Sequence, residues 1–109
     1  MRALQVEYKE LLKKSRKVKT INDLRDFIKD YFKNEKVEVF LFGSRARKTH
    51  TDCSDIDIAF ESQKNISKEL SLLRELLDES NLPYKVDVID LKETPYLKET
   101  IKKEGIKWL

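Results

Sequence analysis

Cysteine, histidine and tryptophan occur once each in this chain of 109 residues, and glycine and proline only twice each. A lone Cys53 cannot close an internal disulfide or build a cysteine zinc cage, and it suits a reducing compartment. So little glycine and proline argues against a disordered or fibrous chain. No run of about 18 apolar residues is present to span a membrane, and the amino terminus lacks the apolar stretch of a secretion signal, so a cytoplasmic protein with no membrane partner is expected. Net charge is also small, at +3, although 39% of residues are charged. The imbalance is local: residues 1–20 hold seven Lys/Arg against Glu7 and Glu10, or +5, leaving −2 for the other 89. A basic arm of this kind would suit RNA or an acidic partner, and equally a solvated helix.

What is abundant is periodicity. The chain is long enough for one modest core, and no linker or repeat divides it, so residues 1–19 are read as a basic arm or helix and 20–109 as one domain. Leu4, Tyr8, Leu11 and Leu12 fall at helical spacing within the arm. Thr20-Ile21-Asn22-Asp23 has the form of a capping box, and the stripe Ile21, Leu24, Phe27, Ile28, Tyr31, Phe32 predicts a helix over 21–33. KVEVFLF at 36–42 predicts a strand entering a core, stopped by Gly43-Ser44. Asp55-Ile56-Asp57-Ile58-Ala59-Phe60 alternates acid and apolar groups, a second strand. Ile66, Leu70, Leu73, Leu76 and Leu77 predict a helix over 65–79, YKVDVIDL at 84–91 a third strand, and Thr94-Pro95 to Gly105 a last helix over 95–104. Residues 106–109 read as a short apolar tail. The order predicts an α+β domain with helices packed on a small mixed sheet.

The chemistry concentrates in 42–60, FGSRARKTHTDCSDIDIAF. Side chains two apart on a strand share a face, so Asp55 and Asp57 stand side by side, where their charges repel unless a divalent cation neutralises them. Asp87 would complete a three-carboxylate cluster if the third strand lies beside the second; Asp90, odd-spaced from it, would face the other way. Such all-oxygen ligation suits Mg²⁺ or Mn²⁺ carrying the phosphates of a nucleotide. Gly43 allows close approach of backbone to phosphate, Ser44 and the amides after it can donate hydrogen bonds, and Arg45, Arg47 and Lys48 add charge for a departing pyrophosphate. His50 reads as a loop residue, Trp108 as packing or interface, and Tyr84 and Tyr96 as core or rim aromatics or self-modification targets.

The pattern Gly43-Ser44-Arg45-Ala46-Arg47-Lys48, a loop, then Ser54-Asp55-Ile56-Asp57 resembles the DNA polymerase β-like nucleotidyltransferases, most closely their minimal branch. The likeness spans about residues 20–105, and Lys103-Glu104-Gly105 resembles the family's usual finish. Lys48 departs from the pattern, which has glycine there; lysine would cost about 1 kcal/mol if that position needs a positive φ, and otherwise adds a phosphate contact. The resemblance implies a polymerase β-like fold in which Gly43 and Ser44 hold the triphosphate of ATP, Asp55 and Asp57 bind two Mg²⁺ ions, and Asp87 is the third carboxylate, ligating one metal and helping to deprotonate the attacking hydroxyl. It further implies an antitoxin that transfers AMP to a tyrosine of a HEPN toxin, in a homo- or hetero-oligomer, since the substrate-binding domain of larger relatives is missing. A silent antitoxin that neutralises by binding, or transfer to RNA or a small molecule, are the alternatives.

Overall fold

A computed structural model describes residues 4–46 and 55–109. Its elements follow in the order α1 (Leu4–Arg16), α2 (Ile21–Tyr31), β1 (Glu38–Phe42), β2 (Ile56–Glu61), α3 (Ser67–Asp78), β3 (Val86–Asp90), α4 (Lys98–Glu104) and β4 (Ile106–Lys107), with 3₁₀ turns at Gly43–Arg45 and Pro95–Leu97. The strands form one mixed sheet in the order β3-β2-β1-β4. β1 runs antiparallel to both β2 and β4, and β2 runs parallel to β3. A parallel neighbour needs a long return path, which α3 supplies. The predicted α+β class, with helices on a small mixed sheet, is what the chain adopts.

Alternation along the strands divides the apolar groups between two faces. Val39, Leu41, Ile56, Ile58, Phe60 and Val88 join Leu24, Phe27 and Ile28 of α2 and Leu70, Leu73, Leu76 and Leu77 of α3 in the main core. Each fully buried Leu, Ile or Phe there contributes about 1.5–3 kcal/mol. The predicted capping box opens α2, with the Asp23 amide donating to Thr20 Oγ1 at 3.1 Å and the Asp23 carboxylate accepting from the Thr20 amide at 3.2 Å.

The basic segment is a helix docked on α3. Tyr8, Leu11 and Leu12 pack on the main core, and the buried Ser15 hydroxyl donates to the Leu76 carbonyl. Asn81 Nδ2 donates to the Arg16 carbonyl at 2.5 Å, and Arg16 pairs with Glu79 at 3.6 Å. Lys14 pairs with Asp30 at 2.9 Å. Lys14 and Arg16 are thus matched by acids of this same chain. Among the described residues, no helix is long and apolar enough to cross a membrane.

The second face carries Phe40, Ala59, Leu91 and Ile101 as a small core, with Phe42, Ile89 and Leu97 against it. α4 lies over part of this face, and Glu61 holds it there. Glu61 stands opposite Glu38 in the β1–β2 register, a like-charge pair that costs energy by itself. Lys98 and Lys102, one turn apart on α4, both pair with Glu61, Lys102 at 3.0 Å, while Lys107 takes Glu38 at 3.0 Å. Burial pushes the Glu61 carboxyl up, but the Lys98 and Lys102 ammoniums outweigh it and hold the group below its ordinary value of 4.5. A depressed carboxylate stabilises the fold above its unfolded pKa and loses that contribution as pH falls through the folded one. Glu61→Gln should therefore lower stability at pH 7, by on the order of 1 kcal/mol. In thermal melts the gap from wild type should close as the pH is taken below 4.5. A gap that stays constant down to pH 3 would exclude an ionic role.

The ends of α2, α3 and the first three strands lie one or two residues from those the sequence predicts, and two differences are larger. The predicted helix over 95–104 begins as a 3₁₀ turn, with Pro95 at its start, and becomes α-helical only at Lys98. The apolar tail contains β4, which pairs Leu41 with Ile106 and Phe40 with Lys107. Gly105 permits this pairing, because a Cβ there would lie 2.5 Å from the Ile101 carbonyl oxygen and 3.1 Å from that of Leu41.

Candidate active site

At one end of the second face, the turn after β1 meets the starts of β2 and β3. β1 stops at Phe42 because Gly43 takes φ +76°, the left-handed region that side chains disfavour, and the chain then coils through Gly43–Arg45. Phe42 is the register partner of Asp57. Gly43 consequently lies directly against the Asp57 side chain: a Cβ on Gly43 would run into the carboxylate, with Cγ at 3.3 Å and Cβ at 3.5 Å. A bare backbone turn and a carboxylate are brought together by strand register.

Parallel pairing supplies the second acid. Asp57 is the register partner of Asp87, so their Cα atoms stand about one strand spacing, ~4.8 Å, apart and both side chains emerge on the second face. Both are partly buried, whereas Asp55, immediately ahead of β2, is exposed. Asp90 has the other placement. It pairs with Phe60, is 7% exposed, and its Oδ1 accepts the Lys92 amide at 3.0 Å, capping the turn that follows β3.

The three predicted carboxylates do not close into one grip. Among the described residues, no three His, Cys, Asp or Glu side chains converge on an ion-sized space. Adjacent carboxylates repel, and Asp87 Oδ1 here faces the Lys85 ammonium at 3.8 Å. The backbone nevertheless sets Asp57 and Asp87 abreast on one face. The donor set, carboxylate oxygen beside a backbone turn without a side chain at Gly43, fits a hard divalent cation carrying phosphate oxygens.

Of the other predicted residues, Arg45 closes the turn, and its guanidinium carbon lies 4.3 Å from the centre of the Tyr84 ring. The Ser44 backbone belongs to the same turn. The Ser44 hydroxyl and residues Arg47, Lys48, His50, Cys53 and Ser54 lie outside the described residues. Sequence reasoning passed over Lys85 and the pairing of Tyr84 with Arg45. The first had a visible signal, a lysine two residues before Asp87 and hence on its face of the strand. The second had none, because it joins segments about forty residues apart.

Known proteins resemble this chain along most of its length. Residues 26–108 match the family described as Polymerase beta, Nucleotidyltransferase. A Methanocaldococcus jannaschii protein provisionally named a protein adenylyltransferase is 36% identical over 104 residues, covering 92% of this chain and 93% of that one. A crystal structure of a Sulfolobus solfataricus protein, provisionally named a nucleotidyltransferase, is 19% identical, with a TM-score of 0.48 over 98% of this chain and 86% of its own. The family match covers most of the chain, and the curated relative has almost the same extent. This chain is a nucleotidyltransferase and belongs, as a minimal member, to the polymerase β nucleotidyltransferase family.

Proposed function

We propose that this nucleotidyltransferase moves AMP from ATP to a tyrosine hydroxyl of a partner protein, and that the partner is a HEPN-type toxin for which it serves as antitoxin. The observation that carries the reading is the junction at which the Gly43 turn, Asp57 and Asp87 meet by strand register. The protein acceptor is supported by the name of the Methanocaldococcus relative. Transfer to RNA loses support from the basic segment, where Lys14 and Arg16 are matched by Asp30 and Glu79.

In this reading Gly43 and the amides after it orient the triphosphate, with no side chain at Gly43 to hold it off. Asp55, Asp57 and Asp87 would hold Mg²⁺, which when bound neutralises charge on the transferring group and the pyrophosphate. The acceptor oxygen bonds to the α-phosphorus, the bond from that phosphorus to the bridging oxygen breaks, and pyrophosphate leaves. Asp87, abreast of Asp57, takes the proton of the attacking hydroxyl, and Arg45 offsets charge on the leaving group, with Arg47 assigned the same part.

The test is incubation with Mg²⁺, the candidate toxin and ATP labelled in the adenine or α-phosphate. Label should pass to a toxin tyrosine and toxin activity should fall with it. Label that appears on RNA or a small molecule, or neutralisation without label, overturns the proposed acceptor.

A further inference from the structure

On the second face of the sheet the side chains stand in rows. Phe42, Asp57 and Asp87 are register partners in one row, and Phe40, Ala59 and Ile89 in the next. In the second row Phe40 is 5% exposed and Ala59 0%, closed over with Ile101 of α4, whereas Ile89 keeps part of its surface open. Leu97, in the 3₁₀ turn ahead of α4, packs against the same small core and is also partly open. The cover that α4 gives thus runs out over β3, an edge strand of the sheet. What remains is an apolar step, made by Ile89 and Leu97 on one small core, just beyond Asp87 on the face that carries both acids.

We infer that this step receives the aromatic ring of the acceptor, and that Ile89 is the residue through which the site prefers a phenol to an aliphatic hydroxyl. The inference rests on the proposed function, in which Asp87 takes the proton of the attacking hydroxyl. Ile89 follows Asp87 by two residues on the same face, so the two stand about 6.6 Å apart along the strand. That is close to the length of a tyrosine side chain, so a phenol with its oxygen at Asp87 spans the distance and lays its ring on Ile89. In the other direction along the strand Asp87 faces the Lys85 ammonium, which offers a ring no apolar surface. Serine or threonine carries its hydroxyl one carbon from the backbone and would press amide groups against the apolar step, where they lose water without gaining a partner. Tyrosine brings only ring surface to the step and sends its one polar atom to the acids. The edge position of β3 lets a segment of a second protein approach from that side.

Ile89→Thr tests this with little disturbance of β3, because threonine keeps the β-branch that suits a strand. With α-labelled ATP, Mg²⁺ and the candidate toxin, the KM for the toxin should rise about tenfold, the lower end of what trimming an apolar pocket costs. The dissociation constant for ATP, measured by calorimetry, should stay at the wild-type value. p-Cresol, the side chain of tyrosine by itself, is a probe that needs no partner. Added to protein holding Mg²⁺ and a non-hydrolysable ATP analogue, it should move the Ile89 and Leu97 methyl resonances saturably, and methanol, the side chain of serine, should not. In Ile89→Thr the Leu97 shift should require about ten times as much p-cresol. Cresol that moves neither methyl group, or that moves Leu97 equally well in Ile89→Thr, overturns the inference. So does a loss of ATP affinity in Ile89→Thr, which would give the step to the adenine base instead. Label on a toxin tyrosine at an unchanged KM overturns the subsite and leaves the proposed function standing, whereas label on no tyrosine removes the function and the subsite with it.

Discussion

Asp57→Asn should abolish nucleotidyl transfer while leaving the protein folded. Asparagine has almost the volume of aspartate, so the contact with Gly43 and the pairing of β2 with both neighbours are retained. What is removed is one of two negative charges whose backbone positions are abreast. In the nucleotide-free protein that removal relieves repulsion between the two acids and leaves the fold intact. In the proposed mechanism the same charge would help hold a cation that stabilises phosphoryl oxygens by several kcal/mol in the transition state. Losing about 4 kcal/mol of this corresponds to roughly a thousandfold in rate, since each 1.36 kcal/mol is tenfold. Single-turnover transfer of labelled AMP, measured beside thermal unfolding, checks both halves. Retention of transfer within tenfold of wild type would remove Asp57 from the mechanism.

Residues that stabilise and residues that act are expected to respond in opposite directions to loss of charge, and the two faces of β3 offer that contrast within five residues. Asp90 is buried and accepts a backbone amide, so its carboxylate serves the turn after β3. Asp87 is partly exposed, faces an ammonium at 3.8 Å, and lies on the face shared with Asp57. An odd spacing along one strand is enough to separate an acid buried at the turn from one on the face shared with Asp57.

That separation was legible in the sequence, and so was most of the fold. Alternation in EVFLF, DIDIAF and KVDVID marked three strands and, with them, the face of each aspartate. Helical stripes and the Thr20 to Asp23 box marked α2 and α3. β4 was not legible, because a two-residue strand with both residues exposed has no alternation to display and exists only through pairing with Leu41 and Phe40. The candidate site was legible in its residue types and spacing, but its geometry was not. Whether Asp87 stands beside Asp57 depends on β2 and β3 being parallel neighbours, and the facing of Lys85 and Asp87 is a choice of rotamers that no pattern encodes. The Tyr84–Arg45 contact is likewise a product of tertiary structure, since half-buried aromatics before a strand ordinarily signal only packing.

Gly43→Ala should damage both stability and transfer, and for separable reasons. The first is local: at φ +76° an alanine is strained by about 1–2 kcal/mol wherever it has space. The second is the lack of space, since the new methyl group would run into the Asp57 carboxylate. Overpacking of this kind costs about 1–3 kcal/mol and is relieved only by opening the turn or by pushing the side chain away. Either escape parts the backbone turn from the acid, and a displacement of about 1 Å at such a centre is worth about a hundredfold in rate. Chemical denaturation of Gly43→Ala, Asp57→Ala and the double variant resolves the two contributions. With the carboxylate trimmed, the steric part should vanish and only the backbone strain remain, so the cost of Gly43→Ala should be visibly smaller in the Asp57→Ala background than in wild type. Equal costs in the two backgrounds would mean that the turn and the acid are not in contact, and the junction on which the proposed chemistry depends would be lost.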